Sequence, residues 1–245
     1  MSTWSVEPLL LTSARLSTFC QGSILSGASG FFFLRDARLF LVTSRHVLFD
    51  EASGHFPDRI EIELHIDGDN LAHSTGFSIP LYRGGQRVWR QGGDGSGDID
   101  VAVIEIERAA LPEPTIYRAF MPDHLPGALE AIETGASVLV VGFPLGFHDT
   151  LHHMPVVRQG VIASSFGLRF QGQGFFLTDA RTHRGASGSP VVTRSISRGG
   201  AALDPPWLLL GVHSTRFDVA RDLDRDEALG LNCAWYADIL MSLTG

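Results

Sequence analysis

The chain contains no lysine, since all nineteen of its basic residues are arginine, and these stand against 27 acidic residues for a net charge of −8 at pH 7. Binding to nucleic acid or to an anionic membrane surface requires clustered cations, so the sequence predicts neither partner. Long apolar runs are also absent. The longest, residues 138–143 and 207–212, are far shorter than the ~20 residues of a membrane-spanning helix. The N-terminal stretch lacks the basic start of a secretory signal, so we expect a cytoplasmic protein.

Cysteine and charge are both scarce. Cys20 and Cys233 are the only cysteines. They could pair with each other, but two thiols do not form a disulfide framework, and free thiols in a reducing compartment are the simpler interpretation. Charged residues make up 19% of the 245 residues and apolar residues 44%, with 27 glycines and 12 prolines. This composition favours buried cores built from short elements and excludes a coiled coil or a disordered chain.

Apolar residues recur with a period of two, which is typical of β-strands. Residues 59–67 alternate most clearly, and residues 31–35 and 38–43 flank a turn as in a hairpin. Further strands are predicted at residues 101–106, 137–143, 156–164, 168–170 (pairing with 175–178), 190–193 and 207–214. Residues 233–243 are typical of a helix, with Asn232 as its N-cap. We therefore expect an all-β protein with an N-terminal half at 1–108, a proline-containing connection at 109–134 and a C-terminal half at 135–245.

The segment Gly185-Ala-Ser-Gly-Ser-Pro190 has the features of an activated nucleophile. A serine attacks at neutral pH only when a base accepts its proton and hydrogen-bond donors stabilise the oxyanion. Gly185 lets the backbone turn so that its own amide and that of Ser187 point into one pocket. An ordinary glycine-serine turn before a strand explains this segment equally well, so the hypothesis needs a base and an acid elsewhere in the chain.

His46 and Asp100 are the candidates for that base and acid. His46 follows an apolar stretch, although one of ten histidines is weak evidence by itself. Asp98 and Asp100 stand at the start of another apolar stretch, where either could orient an imidazole or only end a strand. The chain order His46, Asp100, Ser187 differs from the orders found in subtilisins and α/β-hydrolases and is that of chymotrypsin-type enzymes.

With these residues in this order, the chain resembles the trypsin-like (chymotrypsin-fold) serine peptidases, in particular their bacterial HtrA-type and glutamyl-endopeptidase-type branches. Thr43-Ser-Arg-His46-Val resembles the family's Thr-x-x-His-Val motif, and Asp100-Val-Ala-Val resembles its Asp-aliphatic-Ala-aliphatic motif, which favours Asp100 over Asp98. The segment from Gly185 to Pro190 is similar to Gly-x-Ser-Gly-[Gly/Ser]-Pro. A fourth similarity, Gly142-Phe-Pro-Leu-Gly146, matches the start of the second barrel.

The resemblance implies two antiparallel six-stranded β-barrels with a short C-terminal helix. It further implies a catalytic triad of His46, Asp100 and Ser187, an oxyanion hole formed by the Gly185 and Ser187 amides, protein or peptide substrates, and no cofactor. One departure is Ala186, which stands where the digestive branch carries an aspartate that pairs with a newly cut N-terminus. The absence of that aspartate predicts an enzyme made without a zymogen step, or one regulated by loop ordering or by a protein partner.

The same resemblance assigns substrate contacts to Thr182, His213 and Ser214. His213 stands where glutamyl endopeptidases and viral chymotrypsin-fold cysteine proteases carry a histidine that binds the P1 side chain, and Thr182 lies five residues before Ser187. The two would suit Glu or Gln at P1, because buried polar groups reject side chains that cannot pair with them. Alternatively, His213 is a packed strand residue beside a small apolar pocket. Ser214 either extends hydrogen bonds to the substrate backbone or braces Asp100.

One further interpretation concerns a metal site, and two concern functions other than peptide hydrolysis. His148, His152 and His153 have the residue types of a zinc site, but the neighbouring prolines and glycines favour a solvated loop at the cleft rim, so no metal is expected. A catalytically silent binding module with the same fold could scaffold a partner through the same cleft. An esterase could use the same triad.

Overall fold

The computed structural model describes residues 6–127, 132–195, 203–216 and 230–245. Within them the chain forms fifteen β-strands and two short α-helices. The strands are β1 Ser13–Cys20, β2 Ser23–Arg35, β3 Arg38–Thr43, β4 Arg59–His65, β5 Ser74–Pro80, β6 Tyr82–Arg83, β7 Gln86–Arg87, β8 Trp89–Asp94, β9 Gly97–Ile106, β10 Ser137–Gly142, β11 Val156–Ile162, β12 Phe175–Ala180, β13 Pro190–Arg194, β14 Trp207–Arg216 and β15 Leu231–Tyr236. The helices are α1 Arg45–Leu48 and α2 Ile239–Leu243.

The N-terminal half is a seven-stranded antiparallel sheet in the order β5-β4-β1-β2-β3-β9-β8. Strand β4 buries Ile60, Ile62 and Leu64 and leaves its alternate residues half-exposed, as the period of two predicted. The predicted hairpin is present as β2 and β3, with Phe31 opposite Val42. The sheet encloses an apolar core of its own that contains the three β4 residues.

The C-terminal half is a closed barrel in the order β10-β11-β12-β15-β14-β13. Its own core is smaller, and a third core, which includes Phe31, Phe40, Val141, Leu209 and Trp235, joins the two halves. The mostly-β fold predicted from the sequence, consistent with a chymotrypsin-like double barrel, and the short C-terminal helix are thereby confirmed. The closed C-terminal barrel has the six strands expected, whereas the N-terminal half has seven strands and not six, because β8 adds to the edge of the sheet beside β9. Because the shared core fixes the two halves against each other, side chains from both can meet reproducibly in the cleft between them.

Two predicted elements were wrong. Residues 168–170 do not form a strand, because Phe170–Gly172 is a 3-10 turn, and β12 pairs with β11 and β15 instead. Residues 233–236 do not belong to a helix but to β15, which closes the barrel between β12 and β14. Pairing on both sides and burial of Cys233, Ala234 and Trp235 outweigh local helix propensity, which is a weak preference over so few residues. The helix starts only at Ile239, so Asn232 is not its N-cap.

Neither helix found among the described residues has the length or apolar character needed to span a membrane. The two cysteines are both free thiols: Cys20 ends β1 in the N-terminal half, and Cys233 is buried within β15 of the C-terminal half.

Candidate active site

The predicted catalytic residues come from both halves of the molecule, and two of the three line one cleft. His46 lies in α1, directly after β3, where burial of the neighbouring Val47 and Leu48 anchors the short helix. Asp100 lies in β9, and Ser187 lies in the loop before β13. A cavity of about 400 Å³ has His46 and Ser187 in its lining.

Asp100 holds His46 through two hydrogen bonds. Its Oδ2 accepts from the ring Nδ1 at 2.7 Å and its Oδ1 accepts from the His46 backbone N–H at 2.9 Å. The Ser214 hydroxyl also donates to Oδ2, so Ser214 braces the acid. Since an ionised carboxylate can only accept, the Nδ1 nitrogen carries the hydrogen and Nε2 keeps its lone pair. Asp98 is exposed to solvent, so the structure brings Asp100 and not Asp98 to the imidazole.

The loop that carries Ser187 is fixed to both halves through its backbone. Ser29 of β2 donates its N–H to the Ser187 carbonyl at 3.0 Å, and Gly188 donates to the His213 carbonyl at 2.7 Å. Gly188 has φ +85°, and a Cβ there would lie 2.1 Å from the Ser29 carbonyl oxygen, so only glycine fits. In this conformation the Ser187 hydroxyl donates to the Ser214 carbonyl at 2.8 Å and not to His46.

The backbone around Gly185 leaves two amides available for an oxyanion. Gly185 has φ +88°, and a Cβ there would lie 2.6 Å from the Phe143 carbonyl oxygen. Its own carbonyl accepts from the Ser29 hydroxyl at 2.7 Å. Across the described residues, neither the Gly185 nor the Ser187 N–H donates to another protein group. Two such amides beside a nucleophile can stabilise developing negative charge.

The residues predicted to contact substrate, Thr182, His213 and Ser214, are all buried. Thr182 donates its hydroxyl hydrogen to Oδ1 of Asn232 at 2.5 Å, and Nδ2 of Asn232 donates to the Ala180 carbonyl at 2.7 Å. His213 is 2% exposed, and within the described part of the chain its Nδ1 has no hydrogen-bond partner. Burial, with a smaller effect from the nearby His46, lowers the pKa of His213 to about 4, so this ring is neutral at pH 7.

Burial of a neutral His213 predicts acid sensitivity. Between pH 6.5 and 4 the unfolded chain binds a proton at this ring and the folded chain does not, so stability falls as pH drops through that window. A shift of this size corresponds to about 3 kcal/mol. We expect urea unfolding at pH 7 and pH 4.5 to show a smaller pH-dependent loss for His213→Gln than for the wild type. Equal losses in the two proteins would contradict the assignment.

Two residues important to the site escaped sequence analysis. Ser29 binds the nucleophile loop through its N–H and its hydroxyl, and the hydroxyl also accepts the Phe143 N–H at 2.9 Å. Asn232 holds Thr182 from within β15. An asparagine inside an otherwise apolar stretch was the available signal, but the helix assigned there concealed its role.

The three histidines considered as metal ligands occupy the loop between β10 and β11. His152 pairs through Nδ1 with Asp149 at 2.7 Å, and Nδ1 of His148 bonds to the Gly146 carbonyl at 2.5 Å. The rings of His148 and His153 are stacked, with 6.0 Å between their centroids. The rings of His148 and His152 therefore bond to different protein groups.

The thiol of Cys233 is buried and lies near enough to Asp100 for the charge of that carboxylate to affect its pKa. Burial, followed by that negative charge, raises the pKa of its thiol to about 12. The thiol is therefore protonated at physiological pH and is inert as a nucleophile. Ser187, which lines the cleft together with His46, is the better candidate nucleophile.

Comparison with known proteins gives a family and a fold. The family model described as "Trypsin-like peptidase domain" matches residues 28–198. The structure is similar to the serine endoprotease from Yersinia pestis, with TM-score 0.56 and 16% identity, covering 96% of this chain and 62% of that one. It is also similar to the active form of the Rv3671c protease from M. tuberculosis, with TM-score 0.50 and 17% identity, covering 97% of this chain and 82% of that one. No curated protein matches the sequence.

Proposed function

The chain belongs to the trypsin-like serine peptidases, and we propose that it is an endopeptidase whose catalytic triad is His46, Asp100 and Ser187. The observation that carries this proposal is the doubly hydrogen-bonded Asp100–His46 pair in a cleft that also contains Ser187. The pair fixes the imidazole in the tautomer that accepts a proton at Nε2, which is what a serine nucleophile requires.

Catalysis begins when the Ser187 hydroxyl turns from the Ser214 carbonyl towards His46. Such hydrogen bonds often tighten only once substrate is bound. His46 accepts the hydroxyl proton as Oγ bonds to the substrate carbonyl carbon, and the Gly185 and Ser187 amides stabilise the oxyanion. The C–N bond then breaks, and His46 gives its proton to the leaving amine. Water hydrolyses the resulting ester by the same steps and restores Ser187.

For the P1 side chain we propose Glu or Gln, bound by His213 and Thr182, and the hydrogen-bond directions favour Gln. The Asn232 amide donates to the Ala180 carbonyl, so its Oδ1 accepts the Thr182 hydrogen. Thr182 therefore meets any further group as an acceptor, while a neutral His213 offers one N–H donor. One donor and one acceptor complement a carboxamide, which has both an N–H group and an oxygen. A carboxylate has only acceptor oxygens, and one of them would face the lone pairs of the Thr182 oxygen.

Cleavage-site mapping with a peptide library tests this specificity. We expect Gln at P1 to be cleaved about tenfold faster than Glu, the effect of one additional hydrogen bond. Thr182→Val should remove most of that difference, while Thr182→Ser, which keeps the hydroxyl, should retain it. Dominance of Glu would contradict the assigned polarity. Dominance of Val, Ala, Arg or Phe would show that His213 is only a packed strand residue.

A comparison of ester and protein substrates tests the endopeptidase assignment against its two rivals. We expect the protein to cleave casein at internal bonds and also to hydrolyse p-nitrophenyl acetate. Ester hydrolysis without any cleavage of casein or of library peptides would indicate an esterase. Inertness towards all of these substrates would indicate a silent binding module.

A further inference from the structure

Large apolar side chains are exposed on one side of the catalytic cleft. Leu145 and Phe147, in the loop after β10, are 71% and 69% exposed. Leu25 on β2 and Val157 on β11 are also exposed. We call these four residues the apolar rim. Scattered single apolar residues on a surface need no explanation, but a group beside a reactive serine indicates a binding surface.

The apolar rim is continuous with the cleft that contains Ser187. Leu25 lines the same cavity as His46 and Ser187, together with Arg184 and Gly185. The other three rim residues line a second cavity of about 810 Å³, which also includes His183. The two cavities meet where the Leu145 N–H donates to the Arg184 carbonyl at 2.5 Å. A substrate peptide that extends from Ser187 over this side of the cleft would therefore pass between Leu25 and Leu145.

Strand β2 offers a main-chain partner along the same path. Its residues 23–30 pair with β1, whereas its pairing with β3 starts only at Phe31. In the portion of the chain that the structure describes, no strand pairs with the opposite edge of residues 23–28. The Ser29 N–H bonds to the Ser187 carbonyl, so this open edge begins at the nucleophile loop. An extended peptide can add to such an edge as a further strand.

We propose that the apolar rim binds the leaving-group side of the substrate and selects apolar side chains at P1′ and P2′. The inference rests on the proposed function and deepens it. The leaving amine must lie beside His46, which protonates it, and His46 shares its cavity with Leu25. The polar P1 network of Thr182 and Asn232 selects on the acyl side. The enzyme thus selects a polar substrate side chain before the scissile bond and apolar side chains after it.

Acyl transfer to added amines tests the apolar rim without involving the P1 residue. Ser187 is acetylated by p-nitrophenyl acetate, and the acetyl-enzyme then reacts with water or with a dipeptide amide. In the second case the α-amine bonds to the acetyl carbon, the Oγ–C bond breaks, and the amine proton passes through His46 to Ser187. The ratio of acetyl-dipeptide to acetate, measured by mass spectrometry, is independent of the rate of acylation.

We expect wild-type enzyme to transfer acetyl to Leu-Leu-amide about tenfold more than to Ser-Ser-amide, because part of two apolar side chains leaves water. The double variant Leu145→Asn, Phe147→Ser should reduce this preference to within about twofold. Asparagine suits position 145, where φ is +55°. Leu168→Ser is the matched control, since Leu168 is 70% exposed but lies in the loop between β11 and β12. The control should keep the wild-type preference.

A rapid release of p-nitrophenol followed by equal transfer to the two amides would overturn the inference and leave the proposed function intact. A preference that survives in the double variant would also overturn it. Failure of the wild type to form any acetyl-enzyme would overturn both the inference and the proposed function.

Discussion

Replacement of Ser187 by alanine should lower kcat for peptide hydrolysis about a million-fold, as removal of the nucleophile does in another serine protease. Among the residues that the structure describes, the hydroxyl removed by the substitution hydrogen-bonds only to the Ser214 carbonyl, so the fold should persist. Circular dichroism and urea unfolding provide the check on folding. Ser137→Ala, at an exposed position at the start of β10, is the matched control and should retain wild-type kcat. Substantial peptidase activity in a correctly folded Ser187→Ala protein would contradict the assignment of the nucleophile.

Replacement of Asp100 by asparagine should lower kcat about 10⁴-fold, the effect of the equivalent change in a known triad. An asparagine amide can donate to Nδ1 of His46, which would move the ring hydrogen to Nε2 and block acceptance of the serine proton. The substitution keeps the shape of the side chain and its acceptor for the His46 backbone N–H. The loss should therefore appear in kcat rather than in stability.

Asp98→Asn is the matched control for that experiment. Asp98 lies two residues away in the same strand but is exposed, and the imidazole hydrogen-bonds to Asp100. We expect its kcat to remain within about twofold of the wild type, since changes at exposed surface positions usually have small effects. Equal losses in the two variants would show that general negative charge, and not the Asp100 hydrogen bonds, supports catalysis.

Much of the fold could be predicted because its strands bury one face. Strand β4 and the β2–β3 hairpin show clear alternation and were identified. Strand β1 was missed, because its buried positions include Ala14 and Thr18, which do not stand out as apolar. Strand β15 was mistaken for helix because its burial depends on two neighbours that are distant in sequence.

The candidate site residues can be proposed from the sequence, whereas the contacts that position them cannot. Short motifs around His46, Asp100 and Ser187 are local, so a single sequence displays them. The contacts that position these motifs are not local: Ser29 reaches Gly185 across 156 positions, and Ser214 reaches Asp100 across 114. The cytoplasmic location and a regulatory protein partner stay predictions.

Active-site labelling with a fluorophosphonate tests the central claim, that Ser187 is activated by the His46–Asp100 pair. We predict that the folded wild type gains the mass of one probe, that peptide mapping places it on Ser187, and that urea-unfolded protein gains none. The Asp98→Asn control should react like the wild type, and Asp100→Asn far more slowly. An unmodified mass for the folded wild type, or a probe attached to any other residue, would contradict the claim.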